Sequence, residues 1–474
     1  MGLSSILSTA ASGLNTVQAQ LQWRTDNINN SSNVNYSRRD PTTVSIGAHG
    51  TAVTIARAKD AGLTTQYLDA NSQSSAATVT SDFYSKLADV AGTSQSTPYL
   101  QQTMDDFTAA WKAFETDTSS TTSEAQIVST GQSLADGITG AEQQLRQIRD
   151  EAKGAAGDAV TALNGKLSDL SEINKKLSAD PNAATEQPDL LDQRDKLVSD
   201  VSGLVGVNVV SHSDGSVALY TKTGAVLVDK AAGQFQWNTN TGGQGFISMA
   251  GAGAGATATA PGMNASFSGG SLGATLNFLD PGTTSSDPNV GTLAKAQAQL
   301  DAFATQLADT SSASSFEGAY DAATSDRTTD LSSGFFTIDT TGTLSPSQSL
   351  AVNAGLVAGT STIKRQSAND VVAQLTATTR SMSTAGVSAA NVSYSGLASA
   401  IAGYQTDSQA AATSDKTRTT TTTTTLQTRL TSETGVNLDT EMAQMTVLQN
   451  AYSANAKVIN AVESMFDTLL KLGS

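Results

Sequence analysis

Cysteine is absent, which excludes disulfides and thiolate metal sites, and His49 and His212 are the only sources of imidazole. Aromatic residues reach 5% and charged residues 15%, both low for a globular chain. Basic charge is scarce as well: 27 Lys and Arg face 43 Asp and Glu, for a net charge of −16 and a pI near 4.5. Binding to nucleic acid or to an anionic membrane starts from clustered cations, so neither is expected as a partner. Long hydrophobic runs are missing too. No Lys or Arg precedes Arg24 and serines interrupt the early apolar residues, which fits neither a cleavable leader nor a membrane span. Ile6 stands where N-myristoylation requires Ser or Thr.

Small residues fill the space left by these absences: Ser, Thr, Ala, Gly, Asn and Gln, which suit long helices packed side by side. A chain of 474 residues has room for about three domains, and 38% hydrophobic content favours slender ones. Near the start, Leu7, Leu14, Leu21 and Ile28 recur every seven residues, with Leu3, Ala10 and Val17 interleaved, a coiled-coil seam that fails only at Arg24. Near the end, Leu438, Met445, Tyr452, Ile459 and Phe466 repeat the device, supported by Met442, Ala456, Val462 and Leu469. Either stripe alone makes a marginal helix. The two read as partners, mobile until neighbouring molecules cover them.

Between the stripes the period changes twice. Residues 143–178 carry Ala156, Val160, Leu163, Leu167, Leu170, Asn174 and Leu177 at alternating spacings of four and three, ending at Asp180-Pro181. A buried Asn174 would fix register. Shorter helices are predicted at 189–205 and 293–309. Residues 207–250 alternate with period two around Ser213-Asp214-Gly215 and Gly224, a β meander, and 315–365 read as further short strands. Helices resume at 368–382 and 393–432, although threonines 419–425 are mediocre helix formers. The fold class is α+β, mainly α, with paired terminal coiled-coil helices, a second layer of long helices and an inserted β-rich outer domain. By range, 1–35 with 433–474 form the terminal domain and 36–65 a linker with short extended segments. Residues 66–205 with 290–310 and 366–432 form the helical bundle, and 206–289 with 311–365 the outer domain at the far tip.

Catalytic candidates are few. Asp105 with Asp106, or Asp189, Asp192 and Asp195 in "DLLDQRD", could serve a secreted hydrolase or hold a metal. Acids in the first turn after Pro188 also complement the helix dipole, and Arg194 can pair with one of them, which is the stronger reading. His212 beside a turn and His49 beside a glycine have no nucleophile nearby in sequence, and "GAGAGA" lacks the spacing of a dinucleotide loop. No enzyme signature and no cofactor site emerge. The terminal stripes could be core helices of a monomer, but their position at both extremities, where chains usually fray, favours assembly with other subunits.

"SGLNTVQAQLQWRTDNINNSSNVNYSRRD" resembles the N-terminal signature of the flagellar axial proteins, with Ser12, Gly13, Leu14, Leu21, Asn27, Ile28, Asn30, Tyr36 and Arg38 on its positions. It departs at Trp23-Arg24, where small residues are usual, and at Asn35, which replaces a Gly and tolerates the positive φ expected there. "SETGVNLDTEMAQMTVLQNAYSANAKVINAVESMFDTLL" is similar to the C-terminal signature, with Glu433-Thr434 differing ahead of Gly435. Leu190, Leu191, Asp192, Gln193, Arg194 and Asp195, followed by "KLVSDVSGLVGVNV", resemble the hook-filament junction branch of the family. "GGSLGATLNFLD" does so too, with Leu279 in place of Arg, while 310–365 is shorter than the branch's pattern and implies a reduced outer domain. The resemblance implies a structural protein, exported unfolded by the flagellar type III route and extracellular in the flagellum, that joins hook to filament. Its implied partners are further copies of itself, the hook protein, the second junction protein and an export chaperone. Another axial protein, whether the second junction protein, a hook protein or a flagellin, is the nearest alternative.

Overall fold

The computed structural model describes residues 3–46, 50–92, 99–180, 187–239, 245–249, 263–279, 291–312, 314–322, 334–339 and 341–472. His49 and the "GAGAGA" loop lie outside the described residues. The chain opens with α1 (Leu3–Asn29) and the hairpin β1 (Arg39–Ile46) and β2 (Gly50–Arg57), then runs through α2 (Ala61–Val90), α3 (Tyr99–Thr116), α4 (Thr121–Ala179) and α5 (Pro188–Leu204). An antiparallel sheet of β3 (Val207–Ser211), β4 (Val217–Thr221) and β5 (Val226–Val228) follows, then the hairpin β6 (Phe235–Thr239) and β7 (Gly245–Met249). Next come α6 (Gly270–Leu279), α7 (Thr292–Leu307), α8 (Phe316–Ala322), β8 (Phe336–Thr337), α9 (Pro346–Ser349), β9 (Ala351–Val352), α10 (Ala354–Val357) and α11 (Ala368–Thr376). A third hairpin, β10 (Arg380–Thr384) and β11 (Val387–Val392), leads into α12 (Tyr394–Thr434) and α13 (Leu438–Leu472).

The spine is α4, 59 residues long and therefore about 88 Å at 1.5 Å per residue. Ser120 caps its start, its Oγ accepting from the Ser123 amide at 3.2 Å, and Asp180 ends it in an extended conformation imposed by the following Pro181. Apolar clusters are strung along it in sequence order. Ile127, Leu134 and Ile138 meet Phe107, Trp111, Phe303, Phe316 and Phe335 in an aromatic core, with Phe107 and Phe335 centroids 5.3 Å apart. Leu145, Ile148 and Ala152 face Phe83, Leu300 and Phe278, the two Phe rings stacked at 4.1 Å. Ala156, Val160, Leu163, Leu167 and Leu170 bury the inner faces of the 207–249 strands and of α5, and Ile173 and Leu177 receive Leu191.

Asn174 is buried as its position in the stripe predicts, but its role differs from a coiled-coil register lock. Its Nδ2 donates to the Val217 carbonyl at 2.8 Å and its Oδ1 accepts the Val217 amide at 3.0 Å, so it stands in for a neighbouring strand. Asn164 treats Phe235 in the same way, at 2.7 and 2.9 Å. These two side chains hold the 207–249 strands on the C-terminal half of α4, beside α5.

Three expectations need correction. The β meander is not at the far tip, because Asn164 and Asn174 fix it to the end of α4 nearer the terminal helices. The described residues among 315–365 form short helices and one two-residue strand pair, β8 with β9, and they pack in the aromatic core at the opposite end of α4 from the meander. Residues 380–392 form the third hairpin rather than the end of a helix, turning at Ala385 and Gly386 in left-handed conformations, φ 53° and 88°. The threonine tract, by contrast, stays helical. Thr419 is buried, Thr423 donates from its Oγ1 to Ala70 at 2.9 Å, and α12 lies along α2, so packing overrides propensity.

Glu317 on α8 is buried and accepts the amides of Phe335 and Phe336. Burial lifts it to about 8, against the pull of those amides. The folded chain therefore takes up a proton that the unfolded chain releases near its ordinary value, so stability rises as pH falls through 8. Between pH of about 9 and about 6.5 the gain should be on the order of 2 kcal/mol, read from denaturant titrations, and Glu317→Gln should flatten it. An equal slope in that variant contradicts the assignment.

Candidate functional site

The terminal helices form one unit. Arg24, late in α1, bonds Glu441, early in α13, at 3.1 Å to each carboxylate oxygen, while Gly13 lies against Asn455, so the helices run antiparallel. A Cβ on Gly13 would approach Asn455 Nδ2 to 3.2 Å, so the Asn455 side chain would have to give by a few tenths of an ångström to admit one. Ala10, Val17 and Arg24 are buried at intervals of seven, flanked by half-buried Leu7, Leu14, Leu21 and Ile28. The facing seam on α13 is Glu441, Met445, Leu448, Tyr452, Asn455, Ile459 and Val462, alternating four and three.

Part of the expected C-terminal stripe therefore lies elsewhere. Leu438, Met442, Phe466 and Leu469 are 48, 52, 37 and 55% exposed, outside the seam with α1. Leu448 and Glu441 take those places. The signal was present: the apolar register of α1 breaks at Arg24, and the only acid that can answer it at seam spacing is Glu441. A second apolar stripe, Val447, Ala451, Ala454, Val458, Ala461, Met465 and Leu469, runs along the side of α13 away from the seam, with Val447, Val458, Met465 and Leu469 exposed.

The motif residues of the N-terminal segment anchor the hairpin to α1. Asn27 is buried, with Nδ2 donating to the Arg39 carbonyl at 2.9 Å and Oδ1 accepting both the Arg39 amide and the Tyr36 hydroxyl. Burial pushes that hydroxyl well above its ordinary titration range, with Arg39 pulling against it. Ser12 Oγ accepts the Thr51 amide at 3.1 Å, and Asn30 Nδ2 bonds back to Asp26 at 2.9 Å. Arg38 donates its amide to Thr434 and its Nη1 to Gly435. The hairpin thus belongs with the terminal helices and is no linker. Asn35 does not adopt positive φ: its amide bonds Asn33 Oδ1 at 3.1 Å, and this side-chain turn replaces the glycine.

"DLLDQRD" meets this unit from the other side. Arg39 is held between the rings of Trp23, at 5.4 Å, and Tyr36, at 4.6 Å, and its guanidinium reaches Asp189 and Asp192. Arg57 bonds Asp192 and Asp195, both at 2.7 Å. Asp195 also takes Arg194, whose Nη1 donates to the Gly215 carbonyl in the β3–β4 turn. Burial moves the Asp192 carboxyl above its ordinary value despite Arg57 and Arg39. Leu190 and Leu191 turn inward to Ile173 and Leu177, and Gln193 is exposed. Each acid of the cluster thus faces a guanidinium, whereas Asp105 and Asp106 lie exposed on α3. His212 stands 3.6 Å from Asp229 on the surface. Among the described residues no three such side chains group to hold a metal, and no helix is long and apolar enough to cross a membrane.

Residues 84–331 match the family model of the flagellar hook-associated protein FlgK helical domain, and residues 427–472 match that of the flagellar basal body rod FlgEFG protein C-terminal region. Flagellar hook-associated protein 1 of Salmonella typhimurium is 28% identical over 240 residues, covering 48% of this chain and 43% of that protein. The Escherichia coli protein of the same name is 27% identical over the same length and coverage, and that of Bacillus subtilis 21% with 47% of each covered. The matched region thus spans less than half the length of these curated relatives. The solved flagellar hook junction protein FlgK from Burkholderia pseudomallei is similar with TM-score 0.44 and 26% identity, over 54% of this chain and 43% of that one.

Replacing Glu441 with Gln leaves the buried guanidinium of Arg24 with only the half-exposed Asp40, 3.7 Å away, as a counter-charge. We expect it to weaken the α1–α13 pairing by about 3 kcal/mol, seen as about a hundredfold faster amide exchange in both helices. Arg24→Leu combined with Glu441→Leu should recover most of that protection. Unchanged exchange in Glu441→Gln would show that the pair does not specify the seam.

Proposed function

Since the chain belongs to the FlgK family of flagellar hook-associated proteins, we propose that it is a structural component of the bacterial flagellum that assembles at the distal end of the hook and joins hook to filament. It reaches that extracellular position by type III export and acts by packing its terminal helices between subunits, without catalysis. Further copies of the chain surround it, with the hook protein below and the second junction protein above. An export chaperone holds the C-terminal segment before assembly.

The observation that carries this reading is the second stripe of α13. Within one chain α1 covers only the seam side, and the stripe from Val447 to Leu469 remains in solvent. Each such side chain gains up to roughly 2 kcal/mol on being covered, and a stripe continuous with an existing helix pair is most simply covered by another helix of the same kind. The exposed Leu438, Met442 and Phe466 widen the area available. A narrow helical base with an acidic, polar body suits stacking around an axis, the bodies facing outward.

Deleting the gene should leave hooks without filaments by electron microscopy, with flagellin lost to the medium. Complementation with Val458→Asp plus Met465→Asp should leave a folded monomer that fails to restore filaments, because both positions are exposed in the isolated chain. Normal filaments on the deleted cells would overturn the proposal.

A further inference from the structure

A cavity of about 40 Å³ lies inside the body, where the end of α2 and the start of α3 meet α4, α7 and α12. Leu87, Leu100, Leu145, Leu300 and Ile401 supply most of its wall, which is apolar. Tyr99, 51% exposed, is the lining residue that reaches solvent. Its ring seats against Gly137, where a Cβ would meet Tyr99 Cε1 at 2.6 Å.

One polar atom at this wall has no donor among the described residues: Oε1 of Gln405, a residue of α12 that is 3% exposed. The hydrogen-bond pattern fixes which atom it is. Gln299 Nε2 donates to the Ala385 carbonyl at 2.8 Å, and Gln405 Nε2 donates to Gln299 Oε1 at 2.8 Å. A carbonyl only accepts, so Gln299 must turn its amino group to Ala385 and its oxygen to Gln405. Gln405 must then turn its amino group to Gln299. Reversing either amide would set two acceptors face to face. The chain of amides therefore ends in an oxygen, and a buried acceptor is costly to leave unmade.

We propose that this cavity is a binding site for a small neutral alcohol, with the hydroxyl donating to Gln405 Oε1 and the carbons filling the apolar remainder. Size sets the upper limit. A water-sized group occupies roughly 12 Å³ on this measure, so the cavity admits about three or four, a molecule of two or three carbons with one oxygen. Chemistry excludes the other candidates. A water requires two to four polar partners, and Gln405 Oε1 is one. An ion has no counter-charge, because no Asp, Glu, Lys, Arg or His lines the wall. Every lining residue belongs to the body, so the inference stands whether or not the chain assembles as proposed.

The test is a titration of the full chain with 2-propanol and with acetone, followed through the methyl resonances of Leu145, Leu300 and Ile401. The two molecules are nearly alike in size and shape, but only the alcohol donates. We expect saturable shifts with 2-propanol and about tenfold weaker binding of acetone, the worth of one hydrogen bond to a buried acceptor. Gln299→Leu with Gln405→Leu removes both side-chain oxygens from the wall and should reduce that preference to about twofold or less. Ala141→Val, which adds volume at the half-buried edge of the cavity, should weaken both ligands. Equal affinities in the parent chain overturn the site, as does the absence of saturation with 2-propanol. A preference that survives loss of both glutamines overturns it as well. Should a variant lose helical content, the comparison of the two ligands on the parent chain decides.

Discussion

The apolar face of α4 is the constraint that organises the body. A chain with few aromatics and little hydrophobic mass cannot fill a broad globular core, but it can line one long helix on one side and let every other element dock there. The four clusters are consequently arranged in a row, each supplied by a few turns of α4 and by short elements that could not fold alone. Most aromatic weight falls at the N-terminal end of the row, where Phe107, Trp111, Phe316 and Phe335 pack edge to face and compensate for the irregular chain around them. Where α4 meets regular strands, aliphatic side chains suffice.

Small sheets on a helix surface raise a second problem, because their edges carry backbone groups without neighbours. Asparagine solves it repeatedly. Asn164, Asn174 and Asn27 each bond both the amide and the carbonyl of one strand residue, Phe235, Val217 and Arg39 respectively. A carboxamide is the one short side chain that supplies a donor and an acceptor at the spacing of a peptide group. The device fixes position as well as satisfying polarity, and it explains why a meander that could have projected outward lies flat beside α5.

Much of this was legible in the sequence, and the illegible parts share a cause. The 4–3 run from Ala156 to Leu177 is buried as its spacing indicates, and the period-two stretch from Val207 to Val228 is a sheet turning at Gly215 and Gly224. Heptad spacing also marked both terminal helices as partners. It misassigned the edges of the second seam because α13 is apolar on more than one side, and periodicity cannot say which side meets α1. Only the pairing of Arg24 with Glu441, over 417 residues of sequence, fixes the choice. The hairpin at 380–392 and the helices of 315–365 were hidden for a different reason: their conformations depend on the aromatic core they complete, not on local propensity. Likewise "DLLDQRD" reads as an acid-rich helix start until Arg39 and Arg57 arrive from far away.

The chain thus uses two chemistries for two kinds of contact. Where α1 meets α13, one buried ion pair inside an apolar seam selects register and direction, because any shift would take the fully buried Glu441 away from the Arg24 guanidinium. Where the terminal unit meets the body, the proportions reverse: charge carries the contact and apolar surface is nearly absent. An apolar joint tolerates sliding, since hydrophobic contact has no direction, whereas a guanidinium on a carboxylate holds an angle or lets go. The exposed stripe of α13 is apolar in the same way as the seam with α1. The contact between hairpin and α5 keeps the second, four ion pairs between two arginines and three aspartates.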